Sequence, residues 1–231
     1  MERRARRIRR KRRRRGVTFA VALLVAGAAM LAHVGYDLWG TGIGTARAQS
    51  RLRAEFARDL ARPEPRHVVV PGGADGLIRI PRLHIDMAFV EGISAEALAK
   101  GPGHYPNTPM PGHGGNVAIA GHRTTHLSPF WGLDTMEPGD DITLVTREGR
   151  FVYRVLWVGV ARPDADWVLR PTGVPSLTLT TCFPRFSSSH RLVLRAIQVY
   201  GRTPHGFVDH RHEALDQWMR PPALQMAKRI A

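Results

Sequence analysis

Hydrophobic and polar positions change their period three times along the chain. Between 16 and 36 no residue is charged, and the run Val17-Thr-Phe-Ala-Val-Ala-Leu-Leu-Val25 opens a continuous apolar block. At about 1.5 Å per residue such a helix spans about 30 Å, the thickness of a bilayer's hydrocarbon core, so one transmembrane helix is expected. From 48 to 62 the apolar residues Leu52, Phe56 and Leu60 recur four apart among charged neighbours, a narrow helical stripe ended by Pro63 and Pro65. It reads as a stalk helix leading through the Pro/Gly-rich joint at 71–76 into a folded domain. Arg51, Arg53, Arg58 and Arg62 fit a helix lying on a membrane surface equally well.

Beyond the joint the period becomes that of strands. Runs at 77–80, 87–91, 116–120, 142–146, 151–160, 176–181 and 191–200 alternate or are rich in β-branched residues. Arg147-Glu-Gly-Arg150 joins two of them as a hairpin turn. Short helices are expected at 94–100, with Ser94 as cap and Gly101 as stop, and at 129–136 after Ser128. Many strands and few helices argue a barrel or a sandwich, and the pattern alone does not choose between them. The roughly 125 residues from 76 to 200 suffice for one domain with a sizeable core. The expected organisation is a basic tail at 1–15, the apolar helix at 16–36, a stalk and linker at 37–75, a catalytic domain at 76–200 and an extension at 201–231. In the extension, 213–220 carries a short helical pattern ended by Pro221-Pro222 and too poor in apolar residues to span a membrane.

Charge sharpens the topology. The formal net charge is +15, and the first fifteen residues hold ten arginines and one lysine against Glu2. A block of this kind elsewhere would suggest a nucleic-acid or anionic-surface tail. Directly before an apolar helix it instead places the N-terminus in the cytoplasm and the catalytic domain outside the cell membrane. A cleaved signal peptide is the rival, with Ala46-Arg47-Ala48 as a processing-like site. The apolar run is longer than a usual signal core and that site lies well beyond its end, which favours an uncleaved signal-anchor.

Cys182 is the only cysteine, so no internal disulfide can form and the exported domain must rely on its core. It ends the β-patterned run Ser176-Leu-Thr-Leu-Thr-Thr181. The apolar segment Asn116-Val-Ala-Ile-Ala120 runs into Gly121-His122-Arg123, which sets an imidazole just past a strand end. Arg191 opens the last long strand. A thiol, a base and a fixed cation are the ingredients of nucleophilic catalysis by cysteine. Without the other two, a lone cysteine would more simply be a buried, inert one. His122 and His126 have a metal-like spacing, but the Glu of His-Glu-x-x-His is missing and the strand-end setting disfavours a helix. Apart from His122, eight of the histidines, His104 and His126 among them, have no motif support for catalysis.

The pattern Thr178-Leu-Thr-Thr-Cys182 followed by Arg191-Leu-Val-Leu194, with Gly121-His122 about sixty residues upstream, resembles the sortase family of cysteine transpeptidases. The stretches Gly101-Pro-Gly-His-Tyr-Pro106 and Gly121-His-Arg-Thr-Thr-His126 are most similar to its class E branch. This resemblance covers about 76–200. It implies a mainly β fold, an eight-stranded β-barrel with a few short helices, whose missing short strand would lie within 106–114.

The resemblance further implies a catalytic set of His122, Cys182 and Arg191, with Tyr105 and Thr181 as substrate-binding residues and neither cofactor nor metal. Arg195 has the same strand parity as Arg191, so periodicity does not separate them. The implied reaction cleaves an LAXTG- or LPXTG-like sorting signal through a thioester and passes the protein to an amine. Partners would be secreted proteins bearing a C-terminal sorting signal, a peptidoglycan-precursor amine and the membrane, with no nucleic acid. The Asp-Pro-aromatic lid of pilus-building sortases is missing, which favours wall attachment over pilin polymerisation, and Phe183-Pro184 departs from the polar residue common after the class E cysteine.

Two other classes compete. A papain-like or peptidoglycan-hydrolysing cysteine peptidase would have its cysteine before the histidine and at a helix N-terminus, the reverse of the order here. A membrane-tethered binding module would use the arginine tail on nucleic acid or anionic lipid and leave Cys182 inert.

Overall fold

A computed structural model describes residues 2–62, 70–203 and 206–209. The chain divides into two compact units, Met1–Gly40 and Thr41–Ala231. In the first, helix α1 (Glu2–Gly35) carries the apolar stretch Gly16–Gly35, twenty residues whose large side chains, Leu23, Leu24 and Leu31 among them, are exposed. By length and composition it is a candidate membrane anchor. A turn of π-helix, Tyr36–Gly40, follows it.

The second unit is a closed barrel. Its strands are β1 (Ala74–Ile80), β2 (Ile85–Glu91), β3 (Gly103–His104), β4 (Asn116–Ala120), β5 (Asp141–Thr146), β6 (Gly149–Ala161), β7 (Ser176–Phe183) and β8 (His190–Thr203). They pair in the order β6-β5-β1-β2-β3-β4-β7-β8, and β8 returns to β6 to close the ring. A ninth strand, β9 (Gly206–Asp209), pairs with β8 from Tyr200 to Thr203, beyond the reach of β7. The eight-stranded barrel expected from the motif resemblance is therefore the fold, and the sandwich is not. Closure removes the exposed strand edges that an open sheet would present.

Alternation along each strand fills the interior. Ile78 and Ile80, Val117 and Ile119, Ile142 and Leu144, Phe151, Tyr153 and Val155, Leu177 and Leu179, and Leu192, Leu194 and Ala196 all join one core. These are every second residue of their strands, as a half-buried strand requires. The β5–β6 hairpin turns through Arg147-Glu148, with Gly149 at φ 143° where a side chain would be strained.

Three expectations need correction. The short strand lies at Gly103–His104, ahead of 106–114, and its two residues are too few to show any period. It bridges β2 in parallel and β4 in antiparallel fashion. The helix expected at 129–136 shrinks to a 3₁₀ turn at Leu133–Thr135, because Leu127 and Ser128 take positive φ and Gly132 interrupts the run. Ser94 caps α3 (Ala95–Lys100) as expected, its hydroxyl accepting from the Ala97 amide.

The third correction concerns the stalk. Helix α2 (Thr41–Leu60) starts earlier than 48 and buries Thr45, Gln49, Leu52 and Phe56. Leu52 packs with Ala88, Val90 and Ala97, so the stripe that marked a stalk is a docking face on the barrel. Gln49 completes the edge of β2: its amide donates to the carbonyls of Ala88 (2.9 Å) and Lys100 (2.8 Å), and its oxygen accepts from the Ala88 amide (2.8 Å). One side chain thus stands in for a neighbouring strand. The folded unit begins near 41, and its sheet continues past 200 through β9. The helical pattern at 213–220 and the prolines at 63 and 65 lie outside the described residues.

Removing the Gln49 amide would leave buried backbone groups of Ala88 unpaired, at roughly 1–3 kcal/mol for each such group. We expect Gln49→Ala to lower the urea midpoint of the folded unit by an amount of that order, with an unchanged denaturant slope. A midpoint within error of the wild type would mean that α2 docks through Leu52 and Phe56 alone.

Candidate active site

Strands β4 and β7 run parallel, with Asn116 opposite Ser176 and Ala120 opposite Thr180. His122 and Cys182 each lie two residues past that last pair, at the same end of the two strands. The pairing is sealed there by the Gly121 amide donating to the Thr180 carbonyl (3.1 Å) and the Thr181 hydroxyl donating to the Gly121 carbonyl (2.8 Å). Gly121 is obligatory for space, since a Cβ there would lie 2.6 Å from the Phe130 ring. On the other side of β7, antiparallel β8 sets Arg191 directly across from Cys182.

Parity then fixes the face. Leu177 and Leu179 point into the barrel, so Thr178, Thr180 and Cys182 point out of it. On β8, Leu192 and Leu194 point in, so Arg191, Val193 and Arg195 share the outer face. Cys182 and Arg191 therefore share the outer face of a filled barrel at one end of adjacent strands, and His122 follows β4 at that same end. Cys182 is a free, half-buried thiol.

The two arginines that share parity are separated by register. Arg195 lies opposite Thr178, is buried, and donates to the Val168 carbonyl (3.1 Å). Burial lowers its pKa to about 10. Arg191 lies opposite Cys182, and its Nη1 donates to the carbonyls of Ser188 (3.0 Å) in the β7–β8 loop and of His190 (3.1 Å) at the start of β8.

The substrate-binding candidates divide. Tyr105, at the end of β3, bonds through its hydroxyl to Thr180 Oγ1 (3.0 Å), beside the outer face that carries Cys182. Thr181 is buried with inward parity, and its hydroxyl is committed to Gly121. It joins the strand that leads to His122 to the strand that carries Cys182, and does not line their outer face.

Three contacts escaped the sequence reading. The His126 ring stacks on His122 with centroids 4.6 Å apart and planes 21° from parallel. The spacing that resembled a metal motif therefore makes a stack; parallel rings do not converge on one ion. Burial, and then the charge of His126, pull the His122 pKa below the ordinary 6.5. Arg123, next to His122, is buried and donates to the Cys182 carbonyl (3.3 Å) and to Asp134 (2.8 Å). Arg185 reaches the same Asp134 (3.2 Å) and lies over the Trp131 ring, 4.5 Å from its centre. None of these residues sits in a periodic pattern, so only the Gly121-His122-Arg123 adjacency pointed toward them.

Among the described residues, Asp75, Glu91 and His104 form a group whose ligand atoms lie within 4.8 Å of one another. Its hydrogen bonds suit an anchor better than a metal site. His104 Nδ1 meets Glu91 (2.9 Å), and Nε2 meets the Thr108 hydroxyl (3.0 Å) and the Pro109 carbonyl (3.2 Å), so both ring nitrogens are engaged. Thr108 in turn donates to the Tyr105 carbonyl (2.8 Å) and accepts from the Ala118 amide (3.2 Å). Burial, followed by the hydrogen bond and charge of Glu91, pushes Asp75 up to about 8. The group clamps the start of the loop that presents Tyr105.

A closed eight-stranded barrel with a free cysteine, a histidine and an arginine on adjoining strand ends defines a cysteine-site β-barrel protein. The chain belongs to the sortase family: the Sortase domain model matches residues 78–199. Sortase SrtE1 of Streptomyces coelicolor is 34% identical over 191 residues, covering 74% of this chain and 53% of that protein. Sortase D of Bacillus subtilis is 32% identical over 114 residues, covering 49% of this chain and 56% of that one. The chain thus spans little more than half the length of these two relatives. Among solved structures, a Clostridium perfringens Sortase D5 transpeptidase superposes with a TM-score of 0.62 at 27% identity, covering 66% of this chain and 99% of that one. Sortase E1 from Streptomyces coelicolor, crystallised with a tripeptide in its active site, gives 0.54 at 34% identity, covering 58% and 93%. Similarity within the family is greatest to class E.

Because the charge of His126 is one of two causes acting on His122, His126→Gln should raise the His122 titration midpoint followed by ring-proton NMR. The midpoint should stay below 6.5, since burial is the larger cause and remains. No movement would show that the stacked ring is electrostatically silent.

Proposed function

We propose that this chain is a membrane-anchored cysteine transpeptidase of the class E sortase type. Its substrates are exported proteins ending in an LAXTG- or LPXTG-like sorting signal, and its acceptor is an amine of the cell-wall precursor. The observation that carries this reading is register: Cys182 has Arg191 as its cross-strand partner on one side and His122 two residues past the β4–β7 ladder on the other. The family supports the class of chemistry, and the apolar helix with its arginine-rich tail supports an N-in anchor with the barrel outside.

Chemistry follows from these positions. Cys182 Sγ, as thiolate, attacks the threonine carbonyl of the sorting signal. The C–N bond breaks as His122, in its protonated form, gives a proton to the departing amine, leaving a thioester. The acceptor amine then loses a proton to His122 and attacks the thioester, which releases Cys182. Arg191 stabilises the carbonyl oxygen as negative charge develops on it. Tyr105, bonded through its hydroxyl to Thr180, is the groove residue we assign to the sorting signal.

The test is a mass measurement of the purified chain incubated with LAXTG and LPXTG peptides and an added amine. We expect a thioester adduct and an amine-exchanged product from the wild type and neither from Cys182→Ala, which should keep its fold because only sulfur is removed. An adduct on the Cys182→Ala chain would sink the nucleophile assignment. Hydrolysis without amine exchange would favour a peptidase.

The same assay separates the arginines. Arg191→Lys should slow acylation by about 10²–10³, because a point charge on a flexible stem cannot replace a planar fork of donors. Arg195→Lys should stay within about tenfold, since Arg195 is held by the Val168 carbonyl away from the thiol. The reverse ranking would mean that the wrong arginine has been assigned.

A further inference from the structure

Resting on the transpeptidase reading above, we propose that Arg123 is a positioning residue that holds the base-bearing loop and the nucleophile in a common geometry through the Cys182 carbonyl. The backbone ladder between β4 and β7 ends at Thr180 and Gly121. His122 and Cys182 both lie past that end, where strands ordinarily splay. Arg123 follows the base directly, and its Nη1 donates to the carbonyl of the nucleophile itself at 3.3 Å. One side chain therefore spans the gap from the base's own backbone to that of the thiol.

The guanidinium is held on two more sides. Nη2 binds Asp134 at 2.8 Å, and the group lies over the Phe183 ring, 5.3 Å from its centre. Asp134 is held by Arg185 from the β7–β8 loop as well, so the carboxylate ties the segment after β4 to the segment after β7. Arg123 is 2% exposed and its Nε has no partner among the described residues. Burying a charge this deeply with one donor unmet is costly, and an apolar side chain of similar volume would often be at least as stable. Packing alone is therefore a poor account of an arginine here. Its three contacts fall on the carbonyl of Cys182, on the Phe183 ring that follows it and on Asp134, which Arg185 also holds. Phe183, the departure from the class E pattern, supplies the face on which the guanidinium lies.

A planar fork is needed for this arrangement, because donors must reach a carbonyl and a carboxylate at once while the plane stacks on a ring. Lysine can keep the charge, but its donors sit on one nitrogen and it has no flat face to lay on the ring. Displacing reacting groups by about 1 Å costs on the order of 10²-fold in rate, without the substrate being bound more weakly.

The experiment uses the full chain with a sorting-motif peptide and follows single-turnover acylation by mass at varied peptide concentration. Iodoacetamide alkylation of Cys182 serves as a peptide-independent readout. Arg123→Met, which keeps much of the volume, should lower the maximal acylation rate by about 10²-fold while the half-saturating peptide concentration moves less than about threefold. Arg123→Lys should recover part of that loss. Alkylation should stay within about threefold in both, because the thiol remains present and accessible. Wild-type acylation by Arg123→Met would overturn the proposal. So would a loss carried by the half-saturating concentration alone, which would make Arg123 a groove residue, or an equal loss of alkylation, which would indicate general damage. Should neither Arg123 variant fold, Asp134→Asn decides: a drop of about tenfold in the maximal rate is expected, and an unchanged rate overturns the proposal. A wild-type chain that forms no thioester sinks the transpeptidase reading and this inference together; a wild-type thioester with unaffected variants sinks the inference alone.

Discussion

A single parallel pairing governs the molecule: β4 against β7, with Ala120 opposite Thr180. It inserts two non-consecutive strands side by side in a barrel otherwise built largely from antiparallel neighbours, and it carries the histidine and the cysteine to the same end of the sheet. A slip of one residue would turn every side chain of β7 to the opposite face. Leu177 and Leu179 would leave the core and Cys182 would enter it. The core and the site are thus specified by the same register. The energetic demand that apolar residues be buried, the largest favourable contribution to folding, also aims the thiol outward.

The remaining polar groups of the unit support that end of the barrel. The buried Asp75, Glu91 and His104 group fixes the start of the loop carrying Tyr105, and Tyr105 closes on Thr180, two residues before the thiol. From the opposite direction, Thr41 at the start of α2 accepts the His126 amide at 3.3 Å, and His126 stacks on the base. Helix α2 is therefore part of the active unit. A fragment cut at 76 would lose the Gln49 edge of β2 and the Thr41 support of the histidine loop together.

The strands were legible because most of them alternate or are rich in β-branched residues, whereas the choice of a barrel over a sandwich came from the motif resemblance. Seven of the eight were readable from period 2, and their observed limits lie within a few residues of the pattern. β3 was misplaced because two residues carry no period, and its pairing with β2 and β4 comes from tertiary geometry. Helix α2 was legible as a helix but not as a docked one: the spacing of Leu52, Phe56 and Leu60 is the same whether the stripe faces a barrel, a membrane or water. What decides the matter is Gln49, a polar residue whose partners, the backbone of Ala88 and Lys100, lie far along the chain. The motif residues of the site could be named from type and order. The stack on His122, the inward turn of Thr181 and the tether at Arg123 could not, because each depends on a contact across strands.

Arg191 and Arg195 show what register adds to periodicity. Four residues apart on one strand, they share a face, a charge and apolar neighbours, so no argument along the chain separates them. Across the strand they differ at once: Arg191 meets Cys182, and Arg195 meets Thr178, where the Val168 carbonyl captures it. Arg195 pays for burial with a lowered pKa and fastens the segment after β6 to the barrel wall. Arg191 stays at the strand end, where its Nη1 donates to the carbonyls of Ser188 and His190. Register therefore gives each arginine a different neighbour on β7, a distinction that strand parity cannot make.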